Sequence, residues 1–169
     1  MIPPEYSDVN KSEAEKHLFY ILSKSLGDDW TIFHSYSIEG RNKSNKIIDV
    51  EIDFLLINKE YGILVLEVKG GQIKFEGGNW YQNSQPIKDP YKQAIGNKYS
   101  IKNYLKGFFN AEPPFAIGHS VCFPDSFLPA EEISSTHKDI TLTGLNLTYL
   151  SESLKNIMKD QKSIDYKID

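Results

Sequence analysis

Three residues in two short strings carry the densest chemistry of this chain: Asp53 in EIDFLLIN, and Glu67 and Lys69 in GILVLEVKGG. They sit at the polar rims of two apolar runs of β type, joined by the tight turn NKEYG (58–62). Residues 67 and 69 are two apart on a strand, so their side chains leave one face, roughly 6–7 Å apart along the chain. Val68 points to the other face. Paired as a hairpin, the two runs set Asp53, near the start of one, beside Glu67, near the end of the other. Two carboxylates and an ammonium then converge on one patch. Such a patch suits a divalent cation that activates water against a phosphodiester.

Each of these residues also has a plainer explanation. Asp53 could be a strand-end carboxylate in solvent, and Asp49 and Glu51 share its parity as helpers or decoys on the same face. Asp53 is favoured because it lies closest to the apolar run FLLI, where a carboxylate needs a partner to be tolerated. Glu67 and Lys69 directly follow GILVL, and charges so near a doubly buried strand are uncommon unless they pair. A structural Glu–Lys pair accounts for them alone; with Asp53 across the hairpin, a functional site accounts for them better. Lys69 would then hold the attacking water or neutralise developing negative charge.

Two further positions are weaker. Ser12-x-x-Glu15 reads as a capping box, which by itself explains a glutamate there, although a helix packed on the sheet could also aim Glu15 at the cation. Gln93, in DPYKQAIGNKYSIKNYL, lies in the first turn of its helix, where a surface glutamine is ordinary. His17, His34, His119 and His137 show no zinc-ligand spacing, and one cysteine, Cys122, cannot build a cysteine-rich site. No GxxxxGK[ST], GxGxxG or GxSxG string occurs, so ATP, dinucleotide and serine-hydrolase chemistry lack support.

The elements that must position these residues follow from periodicity. Leu18, Phe19, Ile21, Leu22 and Leu26 recur at helical spacing over 12–26, with Ser12 as N-cap and Gly27 as the stop. Residues 30–38 alternate as a strand, 39–47 form a polar loop, and 48–58 and 62–69 are the two central strands. The second is almost wholly apolar and is expected to be buried on both faces. Gly70-Gly71 breaks it, and 73–75 with 79–82 suggest an outer hairpin turned by Gly77-Gly78. Pro90 opens a helix over about 91–107, closed by Gly107. A strand at 115–123, a weak one at 140–142 and a helix near 151–159 follow. The order predicts a mixed α/β (α+β) domain with a central hairpin over residues 1–160, and a polar tail or linker over 161–169 that could lead to a further domain.

Bulk properties set the class. The chain has 169 residues, 40% hydrophobic and 25% charged, which suits one soluble domain with a real core. Its longest apolar runs are about five residues, far short of the roughly 20 needed to cross a bilayer. No export signal is visible at the start, and a single cysteine rules out an internal disulfide framework, so a reducing cytoplasm is the expected setting. The net charge of −4 argues against a nucleic-acid coat protein, but less against a nuclease whose site is acidic until its cation arrives. Basic residues cluster at Arg41, Lys43 and Lys46, and again at Lys88, Lys92, Lys98, Lys102 and Lys106. Solvated faces explain them as well as a phosphate track does.

Taken in order, SEAEKHLFYIL with Glu15, DDWTIFHS, EIDFLLIN with Asp53, YGILVLEVKGGQI with Glu67-Val68-Lys69, GNWY and DPYKQAIGNKYSIKNYL with Gln93 resemble the PD-(D/E)xK nuclease superfamily. More narrowly, they resemble the nuclease-related domain (NERD) family. The ordered set spans about residues 12–106, with a looser continuation through FAIGHSVCFPD and ITLTGLNL. A bare D…ExK is a weak signal; the ordered set is a strong one. Ile52 replaces the proline of the superfamily's name.

The resemblance implies a restriction-endonuclease-like αβββαβ core and phosphodiester hydrolysis of DNA that depends on Mg²⁺ or Mn²⁺. It implies Glu15, Asp53, Glu67, Lys69 and Gln93 as site positions, with Asp53, Glu67 and the Val68 carbonyl as ligands to the metal. Domains of this family are often joined to helicase or kinase-like modules. The leading expectation is therefore a metal-dependent endonuclease acting in DNA processing or repair. The alternatives are a non-catalytic nucleic-acid-binding or accessory module of a helicase-type protein, and an interaction domain whose Asp53, Glu67 and Lys69 form a structural ion network.

Overall fold

In the computed structural model, residues 1–7, 12–41 and 47–165 are described. A mixed five-stranded sheet carries helices on both faces. Strands β1 (Trp30–Arg41), β2 (Ile47–Asn58) and β3 (Gly62–Val68) form an antiparallel meander. Parallel strands β7 (Ile117–Phe123) and β8 (Thr141–Thr143) extend it in the order β1-β2-β3-β7-β8. Between β3 and β7 the chain makes a small antiparallel wing, β4 (Ile73–Glu76), β5 (Asn79–Gln82) and β6 (Gln85–Ile87), and then helix α2 (Pro90–Phe109). Helix α1 (Glu13–Ser25) precedes the sheet; α3 (Ala130–Ile133) lies between β7 and β8, and α4 (Leu150–Asp165) follows β8. This mixed α/β architecture is compatible with a restriction-endonuclease-like core.

The strand that bears Glu67 is buried on both faces, as its apolar sequence predicts. Leu64, Leu66 and Val68 pack with Phe54 and Leu56 against Leu18, Phe19 and Leu22 of α1 and Leu154 and Met158 of α4. Ile63 and Val65 face the other way, with Leu55 and Ile117, onto Ile101 of α2. Burying one such side chain stabilises the fold by about 1.5–3 kcal/mol, so β3, packed on both faces, sits at the centre of the core. The wing is anchored by Ile73 and Trp80, packed with Tyr91 and Phe123.

Several boundaries differ from the sequence expectation. The 39–47 segment is not all loop: β1 runs on to Arg41 and β2 begins at Ile47, while residues 42–46 lie outside the described residues. Gly107 does not close α2, because a glycine inside a packed helix is tolerated; the helix ends at Asn110, in the left-handed conformation (φ 52°) that a C-terminal cap uses. Strand β6 is an addition to the expected elements: Pro86 argues against a strand, but β6 lies at the edge of the wing, where proline is allowed. Helix α4 continues six residues past Lys159, through the start of the expected polar tail. There Gln161 grips the His119 backbone, accepting from its N–H (2.9 Å) and donating to its carbonyl (2.7 Å). Residues 166–169 lie outside the described residues.

A candidate active site at the end of the central hairpin

The β2–β3 ladder starts at Asn58↔Gly62 and stops at Phe54↔Leu66, whereas β1–β2 pairing runs on to Arg41↔Ile47. Asp53 is the first β2 residue that β3 no longer covers, and continuing the register puts it opposite Glu67. The ladder is broken on the other side too: pairing is missing between His34↔Phe54 and Tyr36↔Ile52, where Ser35 takes a left-handed backbone (φ 50°). The backbone bond that would have met Val68 is replaced by a side chain. Asp53 Oδ2 accepts from the Val68 N–H at 2.7 Å.

Glu67 is buried (3% exposed) at the same strand end. One oxygen accepts from Lys69 Nζ at 2.6 Å, and the other lies 3.5 Å from Asn97 Nδ2 on α2. Asn97 also donates to the Glu51 carbonyl at 3.3 Å, so one amide ties α2 to both central strands. Asp53, Glu67, Lys69, Gln93 and Asn97 open onto one cavity of about 460 Å³, which Val50, Glu51, Lys92, Gly96 and Ser100 also line. Burial first, and the Glu67 carboxylate second, push the Asp53 carboxyl up to about 8; the Val68 N–H opposes them, and Glu15 adds a smaller upward push. A carboxyl held neutral beside a buried carboxylate marks a place where positive charge is welcome.

The sequence-predicted residues fall into two groups. Asp53, Glu67, Lys69 and Gln93 meet in the cavity, as strand parity and helix position suggest. Glu51 joins them, while Asp49 is exposed and does not line the cavity. Glu15 stands apart. Its backbone N–H donates to Ser12 Oγ at 3.3 Å, the forward half of the cap, but its carboxylate leaves the helix terminus and meets His34 Nε2 at 3.1 Å. His34 is buried (5% exposed) and packed among the rings of Tyr6, Phe19 and Phe54. The Glu15 charge reaches Asp53 through space without lining the cavity. Among the described residues, no three His, Cys, Asp or Glu side chains are arranged to hold a metal ion, so the acidic feature is a pair.

Two contributors were not singled out from sequence. His34 follows Ile32 at an inward-facing position of an alternating strand, where a histidine needs a buried partner. Asn97 is four residues after Gln93 and therefore on the same helix face. Glu15→Ala should destabilise the protein by about 1 kcal/mol, because the buried His34 Nε2 loses its carboxylate partner and is left with the Ser35 hydroxyl at 3.4 Å. Chemical denaturation measures this, and an unchanged midpoint would show that the pair carries no structural weight.

Among the described residues no helix is long and apolar enough to cross a membrane. A search of curated proteins and a search of solved structures each find no match. The model of the nuclease-related domain matches residues 10–124, the stretch that holds Glu15, the central hairpin, the wing, α2 and β7. Over most of its length, and over every residue that builds the cavity, this chain belongs to the nuclease-related domain (NERD) family.

Proposed function

We propose that the protein is a Mg²⁺- or Mn²⁺-dependent endonuclease that hydrolyses DNA phosphodiester bonds during DNA processing or repair. The observation that carries this reading is the pairing of Asp53, pinned by the Val68 N–H, with buried Glu67 and Lys69 in one open cavity. The donor set fits a hard cation. Mg²⁺ usually takes one or two carboxylates, keeps waters and shares phosphate oxygens with the substrate, so a pair of acids suffices. Asp53 and Glu67 would hold it, and the Val68 carbonyl, which leaves the strand on the same side as the N–H bonded to Asp53, would complete the protein's share. When bound, the cation supplies an acidified water and polarises a phosphoryl oxygen.

The chain's own groups supply the rest. Asp53, neutral in the metal-free site, must give up its proton to serve as a ligand, so binding is expected to strengthen as pH rises toward about 8. Lys69 Nζ, 2.6 Å from Glu67, is placed to orient a water or to meet negative charge on the scissile phosphate. Gln93 lines the approach and positions by hydrogen bond. Glu15, paired with His34, fixes α1 against β1 and tunes Asp53 through its charge.

Calorimetric titration of Mg²⁺ and Mn²⁺, with cleavage of supercoiled, linear and single-stranded DNA and an EDTA control, tests the proposal. One binding event per chain and EDTA-sensitive cleavage support it. A second reading has one observation in its favour: the Lys69–Glu67 bond already satisfies much of the site without a metal. If neither metal binds and no DNA is cut, the nuclease reading fails, and DNA binding in EDTA then separates a non-catalytic nucleic-acid-binding module of a helicase-type protein from an interaction domain with a structural ion network.

A further inference from the structure

Lys69 is the first residue past β3, and the fold holds the turn that follows it from three sides. The β3–β7 ladder ends at Val68↔Cys122, after which the Lys69 N–H makes one more backbone bond, to the Cys122 carbonyl at 3.0 Å. From there on, side chains grip the backbone of Gly70-Gly71. Asp125 Oδ2 accepts from the Gly71 N–H at 2.6 Å, and Gln82 Nε2, in the wing, donates to the Gly70 carbonyl at 2.8 Å. Helix α1 closes the third side. A Cβ on Gly70 would stand 2.5 Å from the Cβ of Ala14 and 3.0 Å from Asp125 Oδ2, so only glycine fits there.

A turn tied down at both ends presents Asp125. The Ser126 N–H donates to the Phe123 carbonyl at 3.1 Å, which leaves Pro124 and Asp125 as the central pair, with proline where its fixed φ suits the turn. Phe123 is fully buried, and the Ser126 carbonyl accepts from the Gly144 N–H at 2.6 Å. Asp125 lies one residue beyond the stretch that the family model matches, and it does not line the cavity. Its influence on the site must therefore run through Gly71 to Lys69.

That influence matters because lysine carries its charge on a flexible four-carbon stem. Where Nζ can reach depends on where the backbone is held. Misplacing a reacting group by about 1 Å can cost about 10²-fold in rate. We propose that Asp125 is a positioning residue for Lys69: by holding the Gly71 N–H it fixes the Lys69 backbone and keeps the ammonium on Glu67. The proposal deepens the nuclease reading and rests on it for the effect on cleavage; the hold on the ion pair stands without it.

A double-mutant cycle on the full chain tests it, with wild type, Asp125→Ala, Lys69→Ala and the double variant. Chemical denaturation in EDTA reads the ion pair with neither metal nor DNA present. Lys69→Ala should cost less stability in the Asp125→Ala background than in wild type, because the pair is already loosened. Additive losses would overturn the proposal, whether or not the protein is a nuclease. With Mg²⁺, Asp125→Ala should keep the wild-type calorimetric affinity for the metal and cut DNA about tenfold more slowly in a single turnover. Asp125→Asn, which keeps an oxygen for the Gly71 N–H, should recover most of that rate. Wild-type cleavage by Asp125→Ala, a loss of Mg²⁺ binding, or equal impairment of the alanine and asparagine variants would also overturn it. A wild type that neither binds Mg²⁺ nor cuts DNA, together with losses that fall short of additive, would reject the nuclease and keep Asp125 as the residue that positions Lys69.

Discussion

Replacing Asp53 with asparagine is expected to abolish divalent-cation binding and DNA cleavage while stabilising the metal-free protein at alkaline pH. Asparagine keeps an oxygen for the Val68 N–H, which alanine would leave without an acceptor. The loss of function comes from removing the anionic ligand. The gain in stability follows from proton linkage. Burial and Glu67 raise the Asp53 carboxyl from 3.8 to about 8 on folding, so the folded state binds a proton that the unfolded state has released. The wild type is therefore fully stable with respect to this group at acid pH, and it loses stability as pH climbs through that interval. Asparagine cannot ionise and escapes the loss, which is on the order of a few kcal/mol.

Thermal melts in EDTA should show a small difference in midpoint at about pH 4 and a wider one, in favour of the variant, at about pH 9. A wild type that is the more stable protein at the alkaline pH would contradict the cost assigned to an ionised Asp53, from its burial first and from Glu67 second. Adding Mg²⁺ should raise the wild-type midpoint by mass action and leave the variant unmoved.

Lys69→Ala should separate chemistry from metal binding. The ammonium is not a ligand, so the cation should still bind, and the cleavage rate should fall by roughly 10²–10³-fold with the loss of charge stabilisation at the phosphate. The same substitution takes from buried Glu67 its 2.6 Å partner and leaves Asn97 at 3.5 Å. The metal-free variant should lose roughly 1–3 kcal/mol, below the range for fully buried pairs because the lysine is partly exposed. Mg²⁺ should restore much of that loss, since it brings positive charge back to Glu67. Denaturation with and without Mg²⁺, alongside single-turnover cleavage, reads both effects. A variant that cuts at the wild-type rate would make Lys69 a structural ion-pair partner only.

The heart of the site was legible in the sequence because local rules decide it. Strand alternation, carried one residue past β3, puts Glu67 and Lys69 on one side. A turn that pairs residue 58 with residue 62 fixes the register of everything behind it, so Asp53 must come opposite Glu67. The burial of GILVL on both faces follows from its composition, and the helix that offers Gln93 from its leading Pro90; the structure adds Asp89 as its cap.

Only the tertiary structure decided what depends on contacts distant in the chain. Glu15 satisfies a capping pattern on paper, yet its carboxylate leaves the cap for His34, nineteen residues on, where it meets a buried imidazole nitrogen at 3.1 Å. Asn97 acquires a role only when α2 lies across both β2 and β3. The state of Asp53 is likewise absent from the string EIDFLLIN. Its burial, the nearby Glu67 charge and the single N–H it holds arise only where β2 outruns β3. The sequence determined which side chains share a face; packing determined how much water reaches them, and so which of their charges the fold can hold.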